Sequence, residues 1–184
     1  MQMGSVNIVQ LIKEVAEEVK PRARELGISI NIETADDIPL VMADADKIKE
    51  VMYNLIGNSM KFTQSNGKIT VSISKKEAMV ELTVKDTGAG IASEDLPKLF
   101  QKFGILPGSY VTNQPTLGTG LGLYICRSLI ELHGGKIWAV SDGKGKGAAF
   151  IFTLKELNQD ELREVNEKYK QSDTRMELTS SKIL

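Results

Sequence analysis

The chain has 184 residues, 41% hydrophobic and 26% charged, with a formal net charge of −1. That balance suits one soluble domain with a single core, and it excludes recruitment of nucleic acid or an acidic membrane by bulk charge. No apolar run approaches the ~20 residues that cross a bilayer and no signal peptide opens the chain; one cysteine, Cys126, rules out an internal disulfide and suits a cytoplasmic setting.

Met1 to Ser5 reads as a start segment without structural weight, and the domain is expected over residues 6–154. Val6 to Leu26 reads as a helix, because Ile8, Leu11, Ile12, Val15, Ala16 and Val19 recur at three and four residues. Asn7 is placed to cap it and Gly27 to end it, while Pro21 should kink or interrupt it. Ile28 to Ile32 alternates as a half-buried strand, and Leu40 to Met42 is a short one. Asp44 then stands as N-cap of a helix from Ala45 to Phe62. Its core face is Ile48, Val51, Met52, Leu55 and Ile56.

Gly67 to Ser74 and Ala78 to Lys85 alternate on either side of a short turn and predict a hairpin whose second strand ends at Asp86. Leu121 to Leu132 predicts a third helix, stopped by Gly134 and Gly135. Lys136 to Ser141 and Ala148 to Leu154 predict two further strands. Residues 155–184 are a charged extension, in which Asn158 and Glu161 have capping-box spacing ahead of a short helix and a frayed end. Interleaved helices and strands with two hairpins predict an α+β fold: a two-layer sandwich of a mixed, mainly antiparallel sheet with three helices on one face.

Chemistry concentrates between Asp86 and Leu123. Asp86-Thr87-Gly88-Ala89-Gly90-Ile91 sets a carboxylate before two glycines, and Gly118-Thr119-Gly120-Leu121-Gly122-Leu123 turns into a helix. A carboxylate accepts from an exocyclic amine, and a glycine-rich turn brings bare backbone N–H groups against phosphates. The glycine spacing is not that of the dinucleotide fingerprint, and no P-loop is present. On the second helix Asn54, Asn58 and Lys61 share a face, with Glu50 one turn before Asn54. Mid-helix asparagines are mildly unfavourable and ask for a reason. An amide oxygen is a usable Mg²⁺ ligand where phosphates supply the charge, and Lys61 adds a point charge for phosphate.

Together these motifs resemble the ATP-binding catalytic domain of sensor histidine kinases, within the superfamily of DNA gyrase, heat-shock chaperone and mismatch-repair ATPases. Asp44 to Thr63 looks like its asparagine box, and Asp86 to Ile91 like its first glycine box. Phe100 and Phe103 look like its phenylalanine box, and Gly118 to Leu123 like its second glycine box. The resemblance covers roughly Val6 to Leu154 and implies the Bergerat ATP-binding fold, with ATP and Mg²⁺ as cofactors. It implies that Asp86 binds the adenine amine, that Asn58 is the metal ligand, and that Asn54 and Lys61 meet the metal-phosphate group. Gly88, Gly90 and Ile91 would pass close to the base. Gly118, Thr119, Gly120, Leu121, Gly122 and Leu123 would shape the phosphate turn. Ser93 to Leu117 would be a mobile ATP lid carrying Phe100, Lys102 and Phe103.

Three departures stand out: Leu117 where the family often has glycine, no lid arginine beside Lys102, and Ala148 where many members carry Ser or Thr. His133, the single histidine, falls where the family has a structural one. The implied function is donation of the γ-phosphate to a histidine on a separate dimerising helical hairpin, and onward to a response regulator receiver domain. The competing readings are an ATP-gated module of the gyrase or chaperone class, which wants a general base near the metal, and a binding-only relative, which would have lost Asp86 or Asn58.

Overall fold

The computed structural model describes residues 1–103, 120–158, 160 and 163. The chain order is β1 (Gly4–Val6), α1 (Ile8–Glu25), β2 (Ser29–Thr34), β3 (Val41–Ala43), α2 (Ala45–Phe62), β4 (Lys68–Lys76) and β5 (Met79–Asp86). A 3₁₀ turn (Leu96–Lys98), α3 (Gly122–Leu132), β6 (Ile137–Val140) and β7 (Ala149–Lys155) follow.

Five strands form one sheet in the order β2-β4-β5-β7-β6. β2 runs parallel to β4, and the other neighbours are antiparallel, so the sheet is mixed as its sequence pattern predicts. Alternation decides which face is buried. Ile69, Val71 and Ile73 of β4, Val80, Leu82 and Val84 of β5, and Phe150, Phe152 and Leu154 of β7 all enter the core. Thr70, Ser72, Glu81 and Thr83 alternate with them and stay only half-buried. The apolar faces of the three helices cover that inner row: Leu11, Ile12 and Val15 from α1, Ile48, Val51, Met52, Leu55 and Ile56 from α2, and Cys126 and Ile130 from α3.

Local chemistry sets the helix ends. Asn7 accepts from the Gln10 N–H at 3.0 Å, and Gly27, at φ +70°, turns the chain out of α1. α1 continues through Pro21 without interruption. The carbonyl that proline leaves without a donor belongs to Glu17, and both residues are exposed, so water can satisfy it.

The first residues depart from expectation. Gly4–Val6 is a strand, paired antiparallel with β3 in the register Gly4 to Ala43 and Val6 to Val41. The Gln2 N–H adds a bond of 2.5 Å to the Asp44 carboxylate. Asp44 also caps α2 by accepting from Lys47 N–H at 3.2 Å. Backbone donors, that of Gln2 foremost, hold its carboxyl below the usual range. Its own N–H donates to His133 Nε2 at 3.0 Å, while His133 Nδ1 lies 2.7 Å from the Leu129 carbonyl. One ring nitrogen accepts and the other donates, which is the neutral Nδ1–H tautomer. His133 therefore ties the end of α3 to the start of α2, and its role is structural.

Replacing His133 with alanine orphans the buried Asp44 N–H and opens a cavity. A loss of roughly 2–4 kcal/mol is expected in urea unfolding. An unchanged midpoint would show that this bridge carries no stability.

Candidate nucleotide site

Asp86 follows from the register of β5. Val80, Leu82 and Val84 point inward, so the next position of that parity is a carboxylate facing the helices, 3% exposed. Its Oδ1 accepts from Gly88 N–H at 2.9 Å and Ala148 N–H at 3.3 Å, and its Oδ2 accepts from the Ser59 hydroxyl at 3.2 Å. Burial pushes its pKa up, and the three hydrogen bonds pull the other way without cancelling it.

The loop after Asp86 is clasped between α2 and the turn before β7. Ala89 N–H donates to the Phe62 carbonyl at 3.1 Å. Gly145 N–H donates to Ala89 O at 2.6 Å, and Gly147 N–H to Gly88 O at 3.1 Å. A Cβ on Gly88 would lie 2.4 Å from the Phe62 carbonyl oxygen, so only glycine lets the loop pass. Gly90 takes φ +66° there. Ile91 N–H donates to Ser141 Oγ at 3.0 Å, and that hydroxyl donates to Gly147 O at 2.6 Å.

Asn54, Asn58 and Lys61 lie along α2 as their spacing requires, each half-buried. Asn54 Nδ2 donates to the Glu50 carbonyl at 2.9 Å, which leaves Oδ1 directed elsewhere. That oxygen stands 2.8 Å from where a Cβ on Gly122 would be, so the start of α3 lies close against Asn54, whose amide would have to shift for any larger residue there. α3 has no side-chain cap and no acidic residue in its first turn. Among the described residues no side chain claims its first N–H groups, which suits an anion there. Gly120, at φ +68°, and Leu121 lead into it, and Leu123 packs on the core. Gly118 and Thr119 lie outside the described residues.

Glu50 lies one turn before Asn54, at the end of this row away from Asn58. It is half-exposed, pairs with Lys47 at 3.0 Å, and lines a shallow groove with Asp46, Lys49, Tyr53 and Asn54. Asn58 is two turns further on, ~12 Å along the axis. The aromatic pair divides: Phe100 enters the core beside Leu99, whereas Phe103 is 63% exposed, with Lys102 5.6 Å from its ring centroid. Most of the expected lid lies outside the described residues, as does nearly all of the charged extension. Cys126 is buried and its thiol is pushed up to about 12, chiefly by burial, which makes it inert packing.

Sequence reasoning missed Ser59 and Ser141. Ser59 had a faint signal, a hydroxyl at a core-facing helix position; Ser141 had none beyond the turn that follows it.

A buried carboxylate at a strand end, met by a hydroxyl from α2 and followed by a glycine loop, with Asn54 of the same helix against the start of α3, suits a nucleotide site in a two-layer domain. Residues 43–158 match the model of the histidine kinase-, DNA gyrase B-, and HSP90-like ATPase family. The catalytic domain of histidine kinase ThkA is 34% identical with a TM-score of 0.73, over 85% of this chain and 97% of that one. ThkA has also been solved in complex with the response regulator TrrA. Full-length ShkA in complex with AMPPNP is 30% identical with a TM-score of 0.73, over 84% of this chain and 31% of that one. The adaptive-response sensory kinase SasA of Prochlorococcus marinus is 36% identical over 149 residues, 80% of this chain and 38% of its own length. The chain thus spans well under half the length of the curated relatives it matches. It belongs to this ATPase family, and within it to the catalytic domains of histidine kinases.

Because burial raises its pKa, the Asp86 contribution to stability is complete below the ordinary value of 3.8 and is lost as pH rises through the folded value. Asp86→Asn should therefore melt higher than the parent at neutral pH, with the gap closing below about pH 4. The same variant should bind ATP at least ~tenfold more weakly, because an amide N–H₂ cannot accept from an amine. A parent that melts higher than the variant at pH 7 would contradict the desolvation argument.

Proposed function

We propose that this chain binds MgATP and presents the γ-phosphate to a histidine on a separate helical-hairpin domain, from which it passes to a response regulator. The observation that carries the reading is Asp86. Its Oδ1 is saturated by two backbone N–H groups, and Oδ2 keeps acceptor capacity for an adenine amine. Gly88, Gly90 and Ile91 would border the base, with Phe100 behind it, and Lys102 and Phe103 would act from the lid. Phosphates would lie at the open start of α3, from Gly118 through Leu123, with Lys61 adding charge.

The donor set suits magnesium bound through phosphate. Among the described residues, no three of His, Cys, Asp and Glu gather into a metal cluster. A hard cation held by the Asn58 amide oxygen would need phosphate and water oxygens to complete its shell. When bound, the metal would neutralise phosphate charge. Asn54 would position the phosphate end through its contact with α3. In this reading the domain takes in β1 as well as the expected residues 6–154 and continues to the end of β7, the charged residues beyond are an extension, and the setting is cytoplasmic. Among the described residues no helix is long and apolar enough to cross a membrane.

A hydrolytic reading needs a base one turn before the metal ligand, and Asn54 stands there with an amide committed to Glu50 O. An amide takes no proton from water near neutral pH, a term worth roughly 10²–10⁴-fold. ATP turnover by the chain alone should be very slow, and Glu50→Gln should change it little. Brisk turnover that collapses in Glu50→Gln would move the protein to the ATPase class.

With γ-labelled ATP the chain should leave itself unlabelled and label a supplied hairpin domain in trans, more slowly than a tethered fusion. Label on His133 would refute the assignment, because that ring is committed at both nitrogens.

A further inference from the structure

Ser59 is fully buried in α2, and its hydroxyl donates to the one Asp86 oxygen that no backbone N–H occupies. The register of the sheet shows a second place from which a hydroxyl could reach Asp86. Asp86 N–H donates to Ala148 O at 2.8 Å and Ala148 N–H returns to the carboxylate, so residue 148 stands directly across from Asp86. It shares the inward parity of Phe150 and Phe152, and opposed side chains on one face lie within ~5 Å at Cβ. That place holds a methyl group. Among the described residues, Oδ2 is therefore left with Ser59 alone.

We infer that Ser59 is a specificity-determining residue of the nucleotide site, its hydroxyl aiming Asp86 Oδ2 at the purine edge so that an exocyclic amine is accepted and a carbonyl refused. The inference rests on the nucleotide-site reading above and adds the residue that sets base choice.

Adenine presents an amine donor beside the ring acceptor N1, and guanine presents a carbonyl acceptor beside an N–H. Against an ionised Oδ2 the amine completes a hydrogen bond, whereas the carbonyl places acceptor against acceptor. The discrimination depends on Oδ2 staying ionised and fixed in direction. Burial works against the first, and the freedom of a carboxylate to rotate works against the second. Gly88 and Ala148 N–H both hold Oδ1, and because the carboxylate is planar with a single soft torsion, Oδ2 turns only when Oδ1 does. The Ser59 hydroxyl, on the opposite oxygen, adds a third anchor against that turn. Gly88 and Ala148 N–H pull the carboxyl's pKa down through Oδ1, and the Ser59 hydroxyl adds the pull exerted on Oδ2 itself. A serine hydroxyl also keeps acceptor capacity while donating, and so tolerates a water or ring nitrogen arriving beside it.

The test is calorimetric titration of the whole chain with MgATP and MgGTP, for the parent and for Ser59→Ala, Ser59→Thr, Ala148→Ser and the Ser59→Ala/Ala148→Ser pair. Ser59→Ala should lose about tenfold in ATP affinity with little change for GTP, so the ATP to GTP ratio falls by the same factor. Ser59→Thr should stay near the parent, and the double variant should regain most of the ratio, because the hydroxyl then comes from across the sheet. A merely structural serine would not restore base choice from another strand. An unchanged ratio in Ser59→Ala, or a Ser59→Thr as poor as Ser59→Ala, overturns the inference, and so does a double variant as unselective as Ser59→Ala. Those results would leave the nucleotide-site reading standing, provided the parent binds ATP and Asp86→Asn does not. A parent without ATP affinity would instead remove that reading itself.

Discussion

A carboxylate placed where the core expects a hydrophobe is the constraint on which the rest of this structure depends. Asp86 continues the inward row of Val80, Leu82 and Val84, and nothing apolar about it justifies that place. A buried carboxylate is tolerable only where donors converge on it. Much of the surrounding geometry supplies them. The loop from Thr87 folds back so that Gly88 N–H reaches Oδ1, the turn before β7 brings Ala148 N–H to the same atom, and α2 contributes the Ser59 hydroxyl. The close passage of Gly88 against Phe62 and the clasp by the 143–147 turn follow from that convergence.

A second set of bonds holds the helical layer in register with this site. Asp44 and His133 lie far apart in sequence, yet the histidine ring spans the Asp44 N–H and the Leu129 carbonyl. The start of α2 and the end of α3 are thus fixed to each other, while Asn54 and Gly122 meet at the start of α3. Cys126 Sγ lies 3.8 Å from the Val51 carbonyl between these two points. Two helices joined at several points along their length bring Asn54 of α2 against the start of α3. β1 joins this frame through Gln2 and Asp44.

The chemistry of α2 beside Asn58 is set by neutral amides. The amide at Asn54 is oriented by its bond to the Glu50 carbonyl, and Glu50 faces Lys47 in a solvent groove. Positioning groups are therefore present, and the residue one turn before Asn58 is an amide rather than a proton acceptor for water. That division suits a domain that retains a phosphoryl group until another protein surface arrives.

Helices, hairpins and the order of motifs could be read directly, because each is a local pattern. The apolar period of α2, the caps at Asn7 and Asp44, and the alternation of β4, β5 and β7 concern residues within a few positions of one another. Asp86 itself was legible as the end of a strand before glycines. Three things were not. The strand at Gly4–Val6 has no periodicity of its own and exists because β3 offers it an edge. The continuation of α1 through Pro21 depended on whether the freed carbonyl faced water. The hydroxyl on Asp86 depended on whether Ser59, 27 residues earlier, lies within reach, and that is a matter of how α2 crosses the sheet. Sequence by itself determined which elements form and where Asp86 and the asparagines fall on them, since propensity and period are local; tertiary structure alone decided which side chains meet, because hydrogen bonds across 27 and 62 residues of chain depend on packing.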